Sequence, residues 1–306
     1  MEIRHLRSFI ALAEERQFTA AARKLHIVQS GLSVTIKEME EELGVQLVER
    51  TTRNVDLTAA GNLFLEYARS TLRSLNEGME AVSAEAGVAR GRLHLGILQS
   101  LSPYVELPRL LRTFRVRYPL VDFAVRTLNT AITPAQVRSG QIDLSFYVPR
   151  RAEDLSGLQV TSYAEDSLVA ICSVRHAWAN RRSVNLDLLA GEPFVDLSPE
   201  RALRELIDGL FAEQKLQRNS IYQVTDVGIM LQFVSEDLGV AIVPSALASS
   251  FARSKKLHLL RLRNSDGKMP LWRISILTRQ QGRRFAAKST VDLFLDLLSE
   301  HSWQRS

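Results

Sequence analysis

A single cysteine, Cys172, stands among 306 residues. No intrachain disulfide can form, and so little cysteine suits a reducing compartment. No run of about 18 apolar residues occurs, so no transmembrane helix is expected. The amino terminus reads Met1-Glu2-Ile3-Arg4-His5, with charge where a secretory signal would place its apolar core, and a cytoplasmic protein without membrane contact is the expectation. The histidines, His5, His26, His94, His176, His258 and His301, are scattered and form no H-E-x-x-H or close ligand pair, so no metal site is expected. G-x-S-x-G, Walker A and G-x-G-x-x-G motifs are missing as well. An enzyme is therefore not expected, and neither a catalytic residue nor a cofactor is assigned. His94 and His258 sit in strand-like segments and read as structural or exposed. Cys172 closes the apolar run Leu168-Val169-Ala170-Ile171-Cys172, which reads as a buried strand; a sulfenate switch is the one redox role left to it.

What is present is ordinary for a globular protein: 45% hydrophobic and 24% charged residues. A prior of about 100–200 residues per domain divides the length into two or three domains. The net charge is +5, but residues 1–90 carry 11 Lys and Arg against 13 Asp and Glu, a balance of −2, whereas residues 91–306 carry 28 against 21. Any DNA contact by the amino-terminal part must rest on local placement of cations.

Ile3, Leu6, Phe9, Ile10 and Ala13 recur at helical spacing and predict one amphipathic helix over residues 2–15. Thr19 is the expected cap of a second helix, over residues 20–25. A third runs from about Gln29 to Leu43, with Leu32, Ile36, Met39 and Leu43 inward, and Gly44 supplies its left-handed end. The short connection His26-Ile27-Val28 suits a helix-turn-helix. Two extended segments, Val45–Val48 and Asn54–Leu57, flank the tip Glu49-Arg50-Thr51-Thr52-Arg53, a wing able to grip phosphate. Thr58 then caps a long helix in which Leu65, Ala68, Leu72, Leu75, Met79, Val82 and Ala86 alternate at intervals of three and four. Such a seam favours self-association, although a stripe packed on its own domain has the same spacing.

From Arg92 apolar strands alternate with amphipathic helices, the pattern of two α/β lobes joined by two crossings around a cleft. Gln99-Ser100-Leu101-Ser102 follows the first strand and reads as the opening of the next helix, where free N–H groups suit an anion such as a carboxylate. Ser198, before Pro199, reads as the cap at the matching place in the second lobe.

These residues resemble the LysR-type transcriptional regulators over nearly the whole chain. The most specific part is Phe18-Thr19-Ala20-Ala21-Ala22-Arg23-Lys24-Leu25, followed by Gln29, Ser33, Ile36, Lys37, Glu40-Glu41-Glu42-Leu43-Gly44-Val45, Leu47, Arg50 and Leu57-Thr58-Ala59-Ala60-Gly61. Weaker matches are Pro119, Val121, Val125, Gly140, Ile142-Asp143-Leu144, Gly239-Val240-Ala241 and Val243-Pro244. The resemblance implies an α+β multidomain protein: a winged helix-turn-helix at 1–58, a linker and dimerisation helix at 59–90, and a periplasmic-binding-protein-like effector domain at 91–306. Its lobe I would cover about 91–162 and 267–306, and its lobe II about 163–266. Val28, Ser30, Val34, Thr35 and Val48 depart from the family's usual residues, so the scaffold is kept while the reading face is altered. Ser30 is a candidate for a displaced cap.

On this resemblance the DNA-binding residues are Gln29, Ser30, Ser33, Val34, Thr35, Lys37, Arg50 and Arg53. Gln29 suits an adenine edge, Ser33 a base or phosphate, and Val34 a thymine methyl; Lys37, Arg50 and Arg53 would neutralise phosphates. The acidic run Glu38, Glu40, Glu41, Glu42 should point away from DNA. Effector candidates carried over by position are Gln99, Ser100, Ser102, Thr127, Asn129, Phe146, Ser198 and Asp226. The dimerisation residues are Leu65, Ala68, Leu72, Leu75, Met79 and Val82. Expected partners are double-stranded DNA with an interrupted two-fold site, a small-molecule effector of carboxylate type, and a second copy forming a homodimer or homotetramer, with RNA polymerase a candidate beyond these. The competing readings are a solute-binding protein or an α/β enzyme with a helical interaction module.

Overall fold

The computed structural model describes residues 1–50, 55–85, 88–129, 131–150, 153–252, 256–263, 271–280 and 288–300, with backbone alone at Arg50, Glu80, Ala81, Ala84, Glu85 and Ala252. The chain divides into two units after Gly91, with residues 288–290 grouping with the first.

The first unit begins with α1 (Ile3–Glu15), α2 (Phe18–Lys24) and α3 (Gln29–Leu43). Phe9, Leu12, Leu32, Ile36 and Met39 are fully buried in one core with Leu6, Ala21, Ala22 and Leu47. Burial of each large side chain there is worth about 1.5–3 kcal/mol. Ala21 and Ala22 have no side chain beyond Cβ, which lets α2 lie close to α1. Three expectations change. The second helix opens at Phe18 with Gln17 as its N-cap, so Thr19 lies inside it. Leu43 is exposed at the last turn of α3. Ser30 does not cap α3: the N-cap is Val28, in extended conformation, and no side chain bonds the first turn. Gly44 ends the helix with φ 69°, in the left-handed region.

β1 (Val48–Arg50) and β2 (Val55–Leu57) pair antiparallel, as Val48↔Leu57 and Arg50↔Val55. Glu40 Oε1 accepts the backbone N–H groups of Leu47 at 2.8 Å and Val48 at 3.1 Å, tying the wing to α3. One member of the acidic run is thus a strand anchor. Thr58 Oγ1 accepts the Gly61 N–H at 2.9 Å, capping α4 (Ala59–Glu85), and donates to the Gln46 carbonyl at 2.7 Å. A Cβ on Gly61 would fall 2.0 Å from the Leu47 carbonyl oxygen, so only glycine permits this approach.

The second unit alternates strands and helices: β3 (Arg90–Ile97), α5 (Leu107–Arg117), β4 (Leu120–Thr127), α6 (Thr133–Ser139), β5 (Leu144–Tyr147) and β6 (Leu158–Ser173). It continues through β7 (Ser183–Asn185), α7 (Leu186–Ala190), β8 (Pro193–Leu197), α8 (Ala202–Glu213), β9 (Asn219–Val224) and α9 (Val227–Ser235). The last elements are β10 (Ala241–Pro244), α10 (Ser245–Ala252), β11 (Leu257–Arg263), β12 (Leu271–Arg279) and α11 (Thr290–Glu300).

Strand β6 belongs to two lobes. Its first part, Leu158–Ser167, pairs with β12 in a sheet ordered β4-β3-β5-β12-β6. From Leu168 it pairs with β10 on one edge and β11 on the other, and β7 lies parallel to β11. Burial changes at the same residue, since every side chain from Leu168 to Ser173 is buried. The expected buried strand at Leu168–Cys172 is therefore only the distal part of a 16-residue element. Opposite Ile274 and Ser275 the register shifts and leaves Tyr163 as the extra residue of a bulge. β8 and β9 pair parallel, and Phe194 bridges to Val240.

Candidate DNA-reading face and effector cleft

The core positions of α3 leave its opposite side free. Gln29, Ser30, Val34 and Lys37 are exposed there, while Ser33 and Thr35 are half-buried. The Thr19 hydroxyl donates to Gln29 Oε1 at 3.1 Å, linking α2 to the first residue of α3. The uncapped first turn, which holds no acidic side chain, keeps free N–H groups and the positive end of the helix dipole together.

The carboxylates nearby are engaged elsewhere. Lys24 bonds Glu14 at 3.0 Å and Glu15 at 2.7 Å, and its ammonium pKa is raised chiefly by the Glu15 bond and then by that to Glu14. Arg69 pairs with Glu14 at 3.2 Å and Arg16 with Asp56 at 3.7 Å. Lys37 meets Glu41 one turn on at 3.3 Å. An exposed i,i+4 pair of this kind is worth only about 0.3–0.5 kcal/mol, so Lys37 is available to a phosphate. Arg50 closes β1, adjoining the wing tip, whereas Arg53 and the rest of residues 51–54 lie outside the described residues.

The long helix gives a split result. Leu65, Ala68 and Leu72 pack on the core of their own unit, and Ala68 is 1% exposed. These three are corrected from seam to core: α4 lies across α1, and the first half of the stripe is covered by Phe9 and its neighbours. Leu75, Met79 and Val82 stay exposed, with Val82 at 74%. Leu63 and Tyr67, absent from the expected seam, are also exposed, at 58% and 66%. Ala86 lies outside the described residues.

In the second unit a small cleft opens between the lobes. It is lined by Leu98, Gln99 and Ser100 after β3, Leu128 after β4 and Leu197 at the end of β8. Arg201, Ala202 and Leu203 at the start of α8, Val227 opening α9 and Trp272 of β12 complete it. About 40 Å³ is free inside, enough for about three waters at roughly 10–15 Å³ each. A Cβ on Gly96 would fall 2.4 Å from both Leu128 Cδ1 and Ser145 Oγ, so this glycine lets Leu128 reach its place.

Of the eight expected effector residues, Gln99 and Ser100 line this cleft and the other six do not. Gln99–Ser102 does not open a helix; α5 starts at Leu107, after turns closed by Leu101 N–H on Leu98 O and Tyr104 N–H on Leu101 O. Ser102 points outside the cleft lining, as does the exposed Thr127. Asn129 Oδ1 accepts the Ala131 N–H at 2.9 Å and serves a turn. Phe146 is core, 1% exposed and edge-on to Tyr163 at 5.3 Å. Ser198 is not a cap, because α8 begins at Ala202; its hydroxyl donates to the Val224 carbonyl at 3.2 Å. Asp226 caps α9 by accepting the Ile229 N–H at 3.0 Å. Leu128, Leu197 and Val227, the immediate neighbours of these positions, face the cleft instead.

Sequence reasoning missed Arg201 and Trp272. Arg201 Nε and Trp272 Nε1 are buried and have no hydrogen-bond partner among the described residues. The only visible signal was a large polar-tipped aromatic at a lobe crossing and an arginine opening a helix. Across the β6–β12 ladder Trp272 stands opposite Asp166, which accepts the Tyr104 hydroxyl at 2.7 Å and the Ala246 N–H at 2.8 Å. Burial, then the Asp166 bond, raises the Tyr104 pKa and keeps it a donor. Asp166 thus holds the turn behind the cleft and the start of α10 to one strand.

Cys172 is fully buried in β6, and its thiol pKa is pushed up to about 11 by burial, then by Asp237 and Glu192. No helix among the described residues is long and apolar enough to cross a membrane.

Comparison with known proteins fits both halves of this description. Residues 3–62 match the family described as bacterial regulatory helix-turn-helix protein, lysR family, and residues 86–302 match the LysR substrate binding domain. The HTH-type transcriptional regulator AlsR of Bacillus subtilis is 32% identical over 253 residues, 82% of this chain and 83% of that protein. A hydrogen peroxide-inducible genes activator of Escherichia coli O157:H7 is 32% identical over 80% of this chain and 79% of its own. Among solved structures, full-length CbnR complexed with its target DNA is 26% identical, with a TM-score of 0.63 over 99% of both chains. The chain belongs to the LysR family, and it is a DNA-binding transcriptional regulator with an effector-binding domain.

Proposed function

We propose that the chain binds an interrupted two-fold DNA site as a homodimer or dimer of dimers, and that a small effector in the cleft changes this binding. The observation that carries the reading is the free face of α3. Gln29, Ser30, Val34 and Lys37 are presented together, Lys37 pairing with Glu41 on the exposed surface, while Glu14, Glu15, Glu40 and Asp56 are held by residues outside this face. In this reading Gln29 and Val34 contact base edges and Lys37, Arg50 and Arg53 contact phosphate, with Ser30, Ser33 and Thr35 beside them. The division at 58 and 90 separates reading, pairing and sensing, with the two lobes meeting near residues 162 and 267. Pairing is assigned to Leu63, Tyr67, Leu75, Met79 and Val82. The protein works in the cytoplasm, and RNA polymerase is its candidate partner at promoters; no catalytic step, metal or cofactor is assigned.

Gel shifts and footprints on fragments flanking the gene test this reading. A protected interrupted two-fold site whose footprint changes with effector is expected; affinity equal to that for bulk competitor DNA counts against it. Lys37→Ala and Arg53→Ala should weaken all sequences alike and each reduce the salt slope by about 1.

A thiol-based peroxide response, which the peroxide-activator relative brings to mind, is not proposed. Such a sensor needs an accessible thiolate, and Cys172 is buried with its proton retained to about pH 11.

A further inference from the structure

The expected anion site at Gln99–Ser102 rested on a helix opening there, and the helix opens at Leu107 instead. Attraction for an anion arises on the other side of the cleft. The 12-residue α8 begins at Ala202 with no side-chain cap, so its first-turn N–H groups lack a side-chain partner. Arg201, its N-cap residue, forms no ion pair among the described residues, and its Nε is buried there without an acceptor. The first-turn acid Glu205 is taken by Arg150. Independently, Trp272 is 2% exposed and its indole Nε1–H has no acceptor among the described residues. Donors buried without acceptors are costly unless something else satisfies them. Among the described residues lining the cleft Arg201 is the one that is charged; Leu98, Leu128, Leu197, Leu203 and Val227 make most of the rest apolar.

We infer that Arg201 and Trp272 determine specificity by holding the carboxylate of a small monocarboxylate whose remaining body is apolar. The inference rests on the reading of this cleft as the effector site. Arg201 supplies charge and Trp272 a directional neutral donor, while the leucines and valine exclude a second charged group.

The test is calorimetric titration of the full chain with acetate, butyrate and benzoate, alongside butyramide, benzamide and butylamine. At least one carboxylate should bind, and the amides and the amine should bind at least about 10-fold more weakly. Arg201→Gln should weaken the carboxylate about 10- to 100-fold, the loss expected for a hydrogen bond to a charged group. Arg201→Lys should fall between this variant and the unaltered chain. Trp272→Phe, which keeps the ring but removes the N–H, should weaken it several-fold without changing the melting cooperativity. Absence of carboxylate binding at tens of millimolar overturns the inference, as does equal affinity in Arg201→Gln. Amides or amines that bind as well as carboxylates, and are blocked by Ala202→Trp, overturn it while leaving the cleft reading standing. A carboxylate whose affinity ignores Ala202→Trp contradicts the cleft reading itself.

Discussion

The Thr19 hydroxyl donates to Gln29 Oε1 across 3.1 Å, joining the middle of the helix-turn-helix to the first residue of its recognition helix. The bond engages the amide oxygen of an exposed side chain. The proposed bidentate contact of Gln29 with adenine would use both amide atoms, so it would require this oxygen to be shared or released. Gln29→Ala should therefore cost about 1–3 kcal/mol of specific affinity and leave non-specific binding nearly unchanged. Thr19→Val, which frees the oxygen, should change specific affinity by about 1 kcal/mol. Competition gel shifts at one salt concentration measure both; equal loss on specific and bulk DNA would remove Gln29 from base reading.

Two glycines of the same helix should respond to alanine with opposite sign. Gly61→Ala drives a Cβ to 2.0 Å from the Leu47 carbonyl, and separating helix from wing should cost about 1–3 kcal/mol. Gly78 has nothing within 4 Å of the same atom, so Gly78→Ala should gain about 0.5–1 kcal/mol from helix propensity. Thermal melts of the two variants decide the matter. A neutral Gly61→Ala would show that this approach is not tight.

Exposure divides the stripe on the long helix into a packed part, Leu65, Ala68 and Leu72, and an exposed part, Leu75, Met79 and Val82, which is proposed to pair with a second copy. Met79→Glu with Val82→Glu should shift the protein toward monomer in sedimentation velocity while its melting transition is kept. Ala68→Glu should unfold the first unit, because it places a charge at a site 1% exposed. A double variant that remained fully dimeric would move the pairing surface away from this end of α4.

Much of this was legible in the sequence because helical periodicity and glycine punctuation report backbone chemistry directly. Leu32, Ile36 and Met39 faced the core as their spacing required, and Gly44 ended the helix as its freedom at positive φ allows. What stayed hidden depends on which surface meets which. The period of Leu65, Ala68 and Leu72 is the same whether the stripe meets a second copy or its own core, and α1 covers it. Positions 127, 129, 198 and 226 lay one residue from the cleft lining, since a one-residue offset reverses facing and a turn or cap engages the polar group. Arg201 and Trp272 could not be found by motif, because their unmet donors exist only once the lobes are folded.

The buried thiol gives a pH prediction. The Cys172 pKa rises from its ordinary 9.0 to about 11, so below pH 9 both folded and unfolded chains keep the proton. As pH climbs from about 9 to about 11 the unfolded chain ionises first, and this group's contribution to stability is lost across that window. Cys172→Ala should flatten the decline in denaturant midpoint between those values. The same variant should leave any DNA binding insensitive to peroxide, as the unaltered chain is expected to be; peroxide-dependent binding abolished by Cys172→Ala would restore a redox role.

The most direct measurement is selection of duplex fragments from a random pool by the full-length chain, with sequencing of what survives competition. The account predicts enrichment of one motif in two inverted halves, centred one or more helical turns apart, with that preference lost in Gln29→Ala. No enriched motif, or an undiminished one in Gln29→Ala, would contradict recognition through the exposed face of α3.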